Sequence, residues 1–519
     1  MKVAMLVHNP VVGDARVRKE ARSLKNAGYD IDLFGYGDPD DAPETIEDCK
    51  LTIARKSPAV NFYTKVLTYV RKNSGKIRKL VSRKAIKNEM MWSRFLTLSF
   101  VLLSAGYSFS KGWIDTVFWS LVLFSVAIEL ALGFALRTMT KLEIASVLVF
   151  AGAVFLGITF PQVLIPGLML ILLLFGALVI LAFLVLRNTD IVAKFQQRIA
   201  LPAAHNHIAA QLVQNVDIKK YDIIHAHDVI ALMAAVRLKK RRKQLKIVWD
   251  AHELYPELNY KTENGRAFMR KVITAASGYV DFFITINESF VDYYRSEFPK
   301  LPAATVLMNA ARSVSSSSIG KSPLREASGI SDEQFVLLFQ GGLSFDRGVE
   351  FLLDAAEDMP KHWSIIFMGN GPLVDQVREK MNELNSKRDK GHEAIACIPP
   401  APYHELARWT AGADLGVIPY RDVGSNHRYC TPNKLWEYPN AEIPILASGM
   451  VEMSRMIEKY GTGILLPREF TVADIVQELE HTDRARLDDL VENCRQFNKE
   501  EHWEKYEKRL VNLYQEISE

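Results

Sequence analysis

Residues 426–438 hold the side chains that a site for a phosphorylated ligand requires. Thr431 is a good helix N-cap and Pro432 suits the first helical position, so the sequence predicts a helix that begins at Thr431. The unpaired N–H groups at such a helix start favour a phosphate, and Lys434 adds a positive charge one turn in. Glu437 follows about one turn later, where a carboxylate can accept hydrogen bonds from ribose hydroxyls. The alternative is an ordinary capped helix at the surface.

A second candidate segment, residues 340–348, leads from a predicted strand through two glycines into a loop. Gly341 and Gly342 would let a ligand approach the backbone closely, and Arg347 is suited to holding a diphosphate. Residues 369–372, which contain Gly369 and Gly371, repeat this arrangement after another predicted strand. Each of these glycine signals is weak by itself.

Three histidines raise the question of a metal ion. His225 and His227 flank a single residue at one predicted strand end, and His252 lies at another. No second-shell carboxylate can be recognised beside them, so a histidine that contacts a sugar is favoured over a zinc site. Residues 38–40 imitate a metal-binding DxD motif, but their acidic, turn-rich surroundings favour a solvated loop. Neither a metal nor a cofactor is therefore expected.

Alternating strands and helices position these residues. In the first half of the sequence, the predicted strands are residues 2–8, 30–36, 222–225, 247–252 and 282–287. In the second half, they are residues 335–340, 363–369, 415–419 and 445–447. Helical patterns separate many of these strands, which indicates two parallel, doubly wound sheets. Ligands of such sheets bind beyond the carboxyl ends of the strands, where the candidate residues lie.

The composition excludes several classes of protein. The 519 residues carry 64 Lys+Arg and 60 Asp+Glu, and this balance does not indicate a dedicated nucleic-acid binder. With 49% hydrophobic and 24% charged residues, the chain is neither disordered nor fibrous. The four cysteines are widely spaced without a CxxC pair, which argues against a disulfide framework and fits a reducing compartment.

One segment departs from this ordinary composition. Residues 95–186 contain only six charged side chains, and residues 65–94 contain ten Lys/Arg. The apolar runs at 95–109, 113–136, 144–160 and 163–186 predict about four membrane spans with both chain ends in the cytoplasm. A buried helical core, or two spans instead of four, are the alternatives.

Together these residues resemble the retaining GT-B glycosyltransferases of family 4. The resemblance covers nearly all of the chain outside residues 95–186. That apolar segment does not belong to the common fold and looks like an insertion. Its matching segments are residues 14–21, 225–228, 250–257 (DAHELYPE), 308–310, 341–348, 369–371 and 432–438 (PNKLWEY). The resemblance implies an α/β fold of two Rossmann-like domains (GT-B), here with an all-α transmembrane insertion in the N-terminal domain.

The resemblance also implies roles for individual residues. The catalytic candidates are His227 near the transferring sugar, Arg347 at the leaving diphosphate, Lys434, and Glu437, the second Glu of the family's E-x7-E motif. The donor-binding candidates are Gly341, Gly342, Arg347, Gly369, Gly371, Thr431, Pro432, Asn433, Lys434 and Glu437. The acceptor-side candidates are His8, Asp14, Arg16, His252 and Glu253.

Two positions depart from the family pattern. The first Glu of the motif would fall at Tyr429, and a second Arg that is frequent in the family is replaced by Gly342. Both differences affect the expected identity of the donor sugar more than the expected type of reaction.

The predicted organisation follows from these assignments. Residues 1–64 and 205–311 form an acceptor domain, 65–94 a basic membrane-surface segment, 95–187 the transmembrane helices, 323–495 the nucleotide-sugar domain and 496–519 a C-terminal helix. The predicted enzyme is a metal-independent, retaining hexosyltransferase without a cofactor. It would transfer a sugar from UDP- or GDP-sugar to a lipid-linked or polysaccharide acceptor.

The predicted location is the cytoplasmic face of the inner (plasma) membrane, in contact with membrane lipids and without nucleic acid as a partner. The alternative is a membrane protein for transport or sensing that carries a nucleotide-binding αβ module. No Walker motif GxxxxGK[ST] occurs, and no GxGxxG follows the first strand, which weakens transport and dinucleotide oxidoreductase functions.

Overall fold

The computed structural model describes residues 1–55, 201–258, 263–312, 321–388 and 392–519. All of them lie in one compact unit formed by residues 1–56 and 197–519. Two sheets with flanking helices organise this unit.

The first sheet has eight strands. They are β1 (Lys2–Leu6), β2 (Asp30–Gly37), β3 (Thr45–Ile46), β4 (Cys49–Arg55), β5 (Ile223–His227), β6 (Lys246–Ala251), β7 (Phe282–Thr285) and β8 (Ala304–Val306). Their order is β3-β4-β2-β1-β5-β6-β7-β8. The short strand β3 pairs antiparallel with β4, and the other neighbours pair parallel.

The second sheet has six strands, and all its pairs are parallel. They are β9 (Phe335–Gly342), β10 (Trp363–Asn370), β11 (Ile395–Ile398), β12 (Leu415–Ile418), β13 (Ile445–Ser448) and β14 (Gly463–Leu466). Their order is β11-β10-β9-β12-β13-β14.

Helices connect and cover these strands. In the first domain they are α1 (Ala15–Asn26), α2 (Leu201–Asn215), α3 (Asp228–Arg241), α4 (Glu263–Ser277) and α5 (Glu288–Glu297). Along the rest of the chain they are α6 (Leu324–Ser328), α7 (Val349–Asp358), α8 (Val374–Asn385), α9 (Leu406–Thr410), α10 (Ser425–Arg428), α11 (Lys434–Asn440), α12 (Val451–Tyr460), α13 (Val472–Glu480), α14 (Arg484–Glu500) and α15 (Trp503–Ser518).

The central strands explain why the sequence folds in this way. All of β5 and nearly all of β1, β6 and β10 are buried, so these strands form near-continuous apolar runs, as expected for parallel strands covered on both faces. His227, Asp250 and Asn370 lie at or next to the carboxyl ends of β5, β6 and β10. The two-domain α/β architecture predicted from the sequence is therefore confirmed.

The predicted all-α transmembrane insertion requires correction. A span needs about 20 consecutive apolar residues in a helix. No helix in the described part of the chain is long and apolar enough to cross a membrane. Residues 65–94 and 95–187, on which the insertion was predicted, lie outside the described residues. The fold class is therefore corrected to a two-domain α/β fold, and the multi-pass location in the inner membrane is corrected with it.

The last helix, α15, packs against the first domain rather than the second. The indole N–H of Trp503 donates a hydrogen bond to Ser23 Oγ in α1 at 2.9 Å. The Tyr514 ring packs edge-on against Tyr29 with centroids 5.2 Å apart. Because Trp503 and Tyr514 are fully buried, the C-terminal helix completes the core of the N-terminal domain.

Candidate active site

A cleft of about 800 Å³ opens where residues from both sheets meet. Most of the residues predicted as site candidates line it. From the first domain these are Asp14, Arg16, His252 and Glu253. From the second domain they are Gly341, Arg347, Thr431, Pro432, Asn433, Lys434 and Glu437.

His227 and His8 were predicted in the site but do not line the cleft. The His227 side chain is fully buried, with Nδ1 3.0 Å from Asp250 Oδ2 and its ring stacked on His225 at 4.4 Å. A sugar in the cleft would not reach a side chain in this position. His8 is bound through Nδ1 to the carboxylate of Asp228, which raises the pKa of His8.

Three glycines predicted as donor-binding residues also do not line the cleft, namely Gly342, Gly369 and Gly371. A Cβ on Gly369 would lie 1.9 Å from the carbonyl oxygen of Gly341. Gly371 has a φ of +156°, and a Cβ there would lie 2.3 Å from the carbonyl oxygen of Leu343. Gly369 and Gly371 therefore allow close packing of the chain around the loop at the end of β9.

The helix predicted with Thr431 as its N-cap begins two residues later. Asn433 is the N-cap of α11, without a side-chain capping bond. Thr431 is 1% exposed, and its Oγ1 accepts a hydrogen bond of 3.4 Å from Asn287 of the first domain. Its hydroxyl therefore contributes to contact between the domains instead of capping the helix.

Two cations from the second domain face the same space. A Cβ on Gly341 would lie 3.3 Å from Lys434 Nζ and 3.8 Å from an Arg347 guanidinium nitrogen. Lys434 is 6% exposed, and Lys434 Nζ lies 3.4 Å from the Tyr420 hydroxyl. The Arg347 guanidinium lies 5.9 Å from the centre of the same tyrosine ring. Within the described ranges, no carboxylate forms an ion pair with either cation.

Glu437 is oriented by a residue that sequence analysis did not assign to the site. Gln340 Nε2 donates a hydrogen bond to Glu437 Oε2 at 2.9 Å. Gln340 Oε1 lies 2.8 Å from the hydroxyl of Thr410, which also lies 2.8 Å from the carbonyl oxygen of Leu406. Gln340 is 2% exposed. The sequence did offer one indication that Gln340 belongs to the site, because this residue ends a buried strand just before two glycines.

On the first domain's side, Arg16 is anchored by Asp250. Arg16 Nε and one terminal nitrogen donate to the two carboxylate oxygens of Asp250 at 2.6 and 2.9 Å. The other terminal nitrogen donates to Leu307 O and Asn309 Oδ1, both at 2.9 Å. Burial opposes ionisation of Asp250, but the Arg16 charge and the bond from His227 hold the pKa of Asp250 well below its usual value.

His252 brings a further positive charge to the cleft. Burial lowers the pKa of His252, but the nearby Asp250 carboxylate outweighs it and raises the pKa to about 9. In contrast, burial raises the pKa of the Glu20 carboxyl to about 7, with a further contribution from Asp250. The cleft therefore presents Arg16 and His252 from one domain and two unpaired cations from the other.

Asn426 connects the two domains across the cleft. Its Nδ2 donates to Glu253 Oε2 at 2.6 Å, and its Oδ1 accepts from the backbone N–H of Leu254 at 2.7 Å. Asn287 Nδ2 also donates to the carbonyl oxygen of Tyr429 at 2.8 Å. Sequence analysis did not assign Asn426 to the site, because its partner is 173 residues away in the chain.

Comparison with known families agrees with this architecture. Residues 334–482 match the family described as glycosyl transferases group 1, and residues 185–309 match glycosyltransferase family 4. The chain therefore contains GT-B glycosyltransferase domains of the group 1 and family 4 types. The putative glycosyltransferase EpsD of Bacillus subtilis (strain 168) is 28% identical over 190 residues, which cover 34% of this chain. The chain spans about half the length (48%) of EpsD.

Solved structures share the fold at low sequence identity. Sucrose-phosphate synthase from Thermosynechococcus elongatus has a TM-score of 0.56 at 13% identity, with 100% of this chain and 99% of that chain covered. Anabaena HepE in complex with UDP and glucose has a TM-score of 0.56 at 11% identity, with 99% and 100% covered. These similarities establish the two-domain fold.

The buried Arg16–Asp250 pair generates a stability prediction. Asp250→Asn keeps the shape of the side chain but removes the carboxylate that accepts two hydrogen bonds from Arg16, whose remaining carboxylate neighbour is Glu20 at 3.2 Å, so we expect a loss of about 1.5–3 kcal/mol in unfolding free energy. The measurement is unfolding of the full chain by urea or heat. The control is Asp292→Asn, which removes an exposed partner of Arg295 with 70% of its side chain accessible and should change stability little. Equal stability of both variants would contradict the prediction.

Proposed function

We propose that the chain is a retaining glycosyltransferase that moves a hexosyl unit from a UDP- or GDP-sugar to a hydroxyl group of a glycan. The observation that carries this proposal is the pair of cations, Arg347 and Lys434, that face one space beside Gly341 without a carboxylate partner in the described residues. A buried charge without a partner is costly. An anionic ligand such as a diphosphate would supply the missing negative charge.

The glycine at position 341 supports the same assignment. Gly341 has a φ of +113° and carries no side chain to fill the space in front of Lys434 and Arg347. A diphosphate can therefore approach the backbone and meet both cations at once. Arg347 offers paired N–H donors for phosphate oxygens, and Lys434 acts as a point charge.

Glu437 supports a nucleotide rather than a simple phosphate. One of its carboxylate oxygens is held by Gln340, which leaves acceptor capacity on the carboxylate toward the cleft. Hydroxyl groups of a ribose are suitable donors for such an acceptor. The donor would then lie along the second domain, with the ribose at Glu437 and the diphosphate at Arg347 and Lys434.

The chemistry follows from where charge develops. Breaking the bond between sugar and diphosphate increases the negative charge on the departing phosphate. Arg347 and Lys434 are already positioned to stabilise this charge, so leaving-group departure requires no metal in this proposal. Contact between the domains through Asn426 and Glu253 would exclude water and favour transfer over hydrolysis.

The acceptor would enter from the first domain's side, where Asp14, Arg16, His252 and Glu253 line the cleft. These side chains combine hydrogen-bond acceptors and donors, which suits the hydroxyl groups of a saccharide. A polysaccharide or lipid-linked glycan as acceptor stays a prediction from the sequence. The presence of UDP and glucose in the Anabaena HepE complex supports the choice of nucleotide sugars as the first donors to test.

Product analysis tests the proposal directly. The full chain is incubated with UDP-glucose or GDP-mannose and a panel of glycan acceptors, and the products are followed by nuclear magnetic resonance. We expect a glycosylated acceptor whose anomeric configuration matches that of the donor. An inverted product would contradict retention, and release of free sugar without any glycosylated acceptor would show hydrolysis instead of transfer.

Replacement of Arg347 or Lys434 should lower the rate of sugar transfer more than it lowers the stability of the fold. Arg347→Ala removes a charged hydrogen-bonding group from the diphosphate, which corresponds to about 1.5–3 kcal/mol or more in a dry site. Lys434→Ala should have a smaller effect because Arg347 remains. The measurements are transfer rate and calorimetric affinity for the nucleotide. Arg295→Ala, at an exposed arginine with 73% of its side chain accessible, is the control. Full activity of Arg347→Ala would exclude the assigned diphosphate site.

Glu437 and Gln340 should act as a pair. Glu437→Ala removes the proposed ribose contact, so we expect weaker donor binding and slower turnover. Gln340→Ala leaves the carboxylate in place but frees it to rotate, so we expect a smaller loss in the same direction. The double variant should lose less than the sum of the two single losses, because the residues share one hydrogen bond. Additive losses would show that Gln340 does not act through Glu437.

A further inference from the structure

Four titratable side chains form a closed cluster inside the first domain. Glu20 comes from α1, His225 and His227 come from β5, and Asp250 comes from β6, and all four are 0% exposed. One potential ligand atom from each residue lies within 4.8 Å of the other three. We propose that Glu20, His225 and His227 bind one divalent transition-metal ion, best matched by Zn²⁺, in a structural site separate from the cleft, with Asp250 as the outer partner of His227.

Both histidines have the outer hydrogen bond that is typical of a metal ligand, and their stacked rings, with planes 14° apart, would rotate for both Nε2 atoms to face one ion. His225 Nδ1 lies 2.9 Å from the hydroxyl of Tyr514, and His227 Nδ1 lies 3.0 Å from Asp250 Oδ2. Within the described residues, Nε2 of neither ring has a hydrogen-bond partner. A metal-bound histidine typically donates its second ring N–H to a carboxylate or another acceptor. Asp250 and Tyr514 occupy that outer position, and one nitrogen of each ring stays available.

Glu20 supplies a carboxylate without a hydrogen bond. Neither of its oxygens has a hydrogen-bond partner in the described part of the protein. Arg16 Nε lies 3.2 Å from Glu20 Oε1, but its single hydrogen is donated to Asp250 Oδ2 at 2.6 Å. Arg16 therefore neutralises Asp250, and the Glu20 carboxylate is the acceptor that still needs a partner.

The separation between Glu20 and His225 also fits a shared ion. Glu20 Oε2 lies 3.5 Å from His225 Nε2 and forms no hydrogen bond with it. Two ligands of a tetrahedral zinc ion, with bonds of about 2.0–2.1 Å, are about 3.3–3.4 Å apart. Imidazole and carboxylate ligands together suit zinc. Because the cluster is buried, an ion here would join α1 to β5 and to the helix that carries Tyr514.

Metal analysis of the purified protein is the first experiment. The full chain is purified without a metal-affinity column, exposed to Zn²⁺ and dialysed, and its metal content is measured by mass spectrometry. We expect about one zinc ion per folded chain. Glu20→Gln and His225→Ala should remove most of this zinc. Tyr514→Phe should lower the zinc affinity by about 10–100-fold, because it removes an outer partner of a ligand.

An exposed histidine and a thermal measurement serve as controls. His404→Ala removes an exposed imidazole and should keep the full zinc content. Zn²⁺ returned to chelator-treated wild-type protein should raise its melting temperature, because the ion binds only the folded state. This measurement on the wild type remains decisive if a variant fails to fold.

Two results would overturn the proposal. The first result is wild-type protein that contains no zinc and whose melting temperature does not change when Zn²⁺ is added. It would show that the cluster binds no zinc. Equal zinc content in wild type, Glu20→Gln and Tyr514→Phe would show that the ion is bound elsewhere.

Discussion

The buried ion pair between Arg16 and Asp250 is the interaction on which the organisation of the first domain depends. It ties the first helix to the centre of the sheet, and the same guanidinium also holds the carbonyl of Leu307 and the side chain of Asn309. Breaking such a pair on one side leaves a charge in a medium that cannot solvate it. The same carboxylate raises the pKa of His252, which favours the charged form of that histidine. One buried aspartate therefore sets both the geometry and the charge of the cleft wall.

The opposite wall of the cleft, formed by the second domain, has a different arrangement of charges. There the cations Arg347 and Lys434 are left without a carboxylate in the described ranges, while Glu437 is tied to a neutral amide. The first wall pairs its arginine with Asp250, whereas Arg347 and Lys434 on the second wall have no carboxylate partner in the described ranges. The second wall requires a charged ligand to be complete, whereas the first can accept a neutral one.

Much of this arrangement could be predicted from the sequence, because parallel sheets place strand ends at one edge. The continuous apolar runs located the strands, the glycine loop after one strand located Arg347, and the helix predicted after Thr431 and Pro432 located Glu437. Other features depend on contacts between distant segments. The partner of Asn426 is far away in the chain, Thr431 contacts the other domain instead of capping a helix, and His227 points into the core. The predicted membrane insertion was wrong, because no helix in the described part of the chain is long and apolar enough to cross a membrane.

The return of the last helix to the first domain has a consequence for synthesis on the ribosome. Tyr514 contacts His225, so the core around that strand stays open at this point until most of the last helix has been synthesised. His225 and Tyr514 are 289 residues apart in the chain, a distance that takes roughly 14–58 s to synthesise at about 5–20 residues per second. During this interval the polar groups later enclosed by α15 remain open to water. The first domain to emerge is thus the last to be finished.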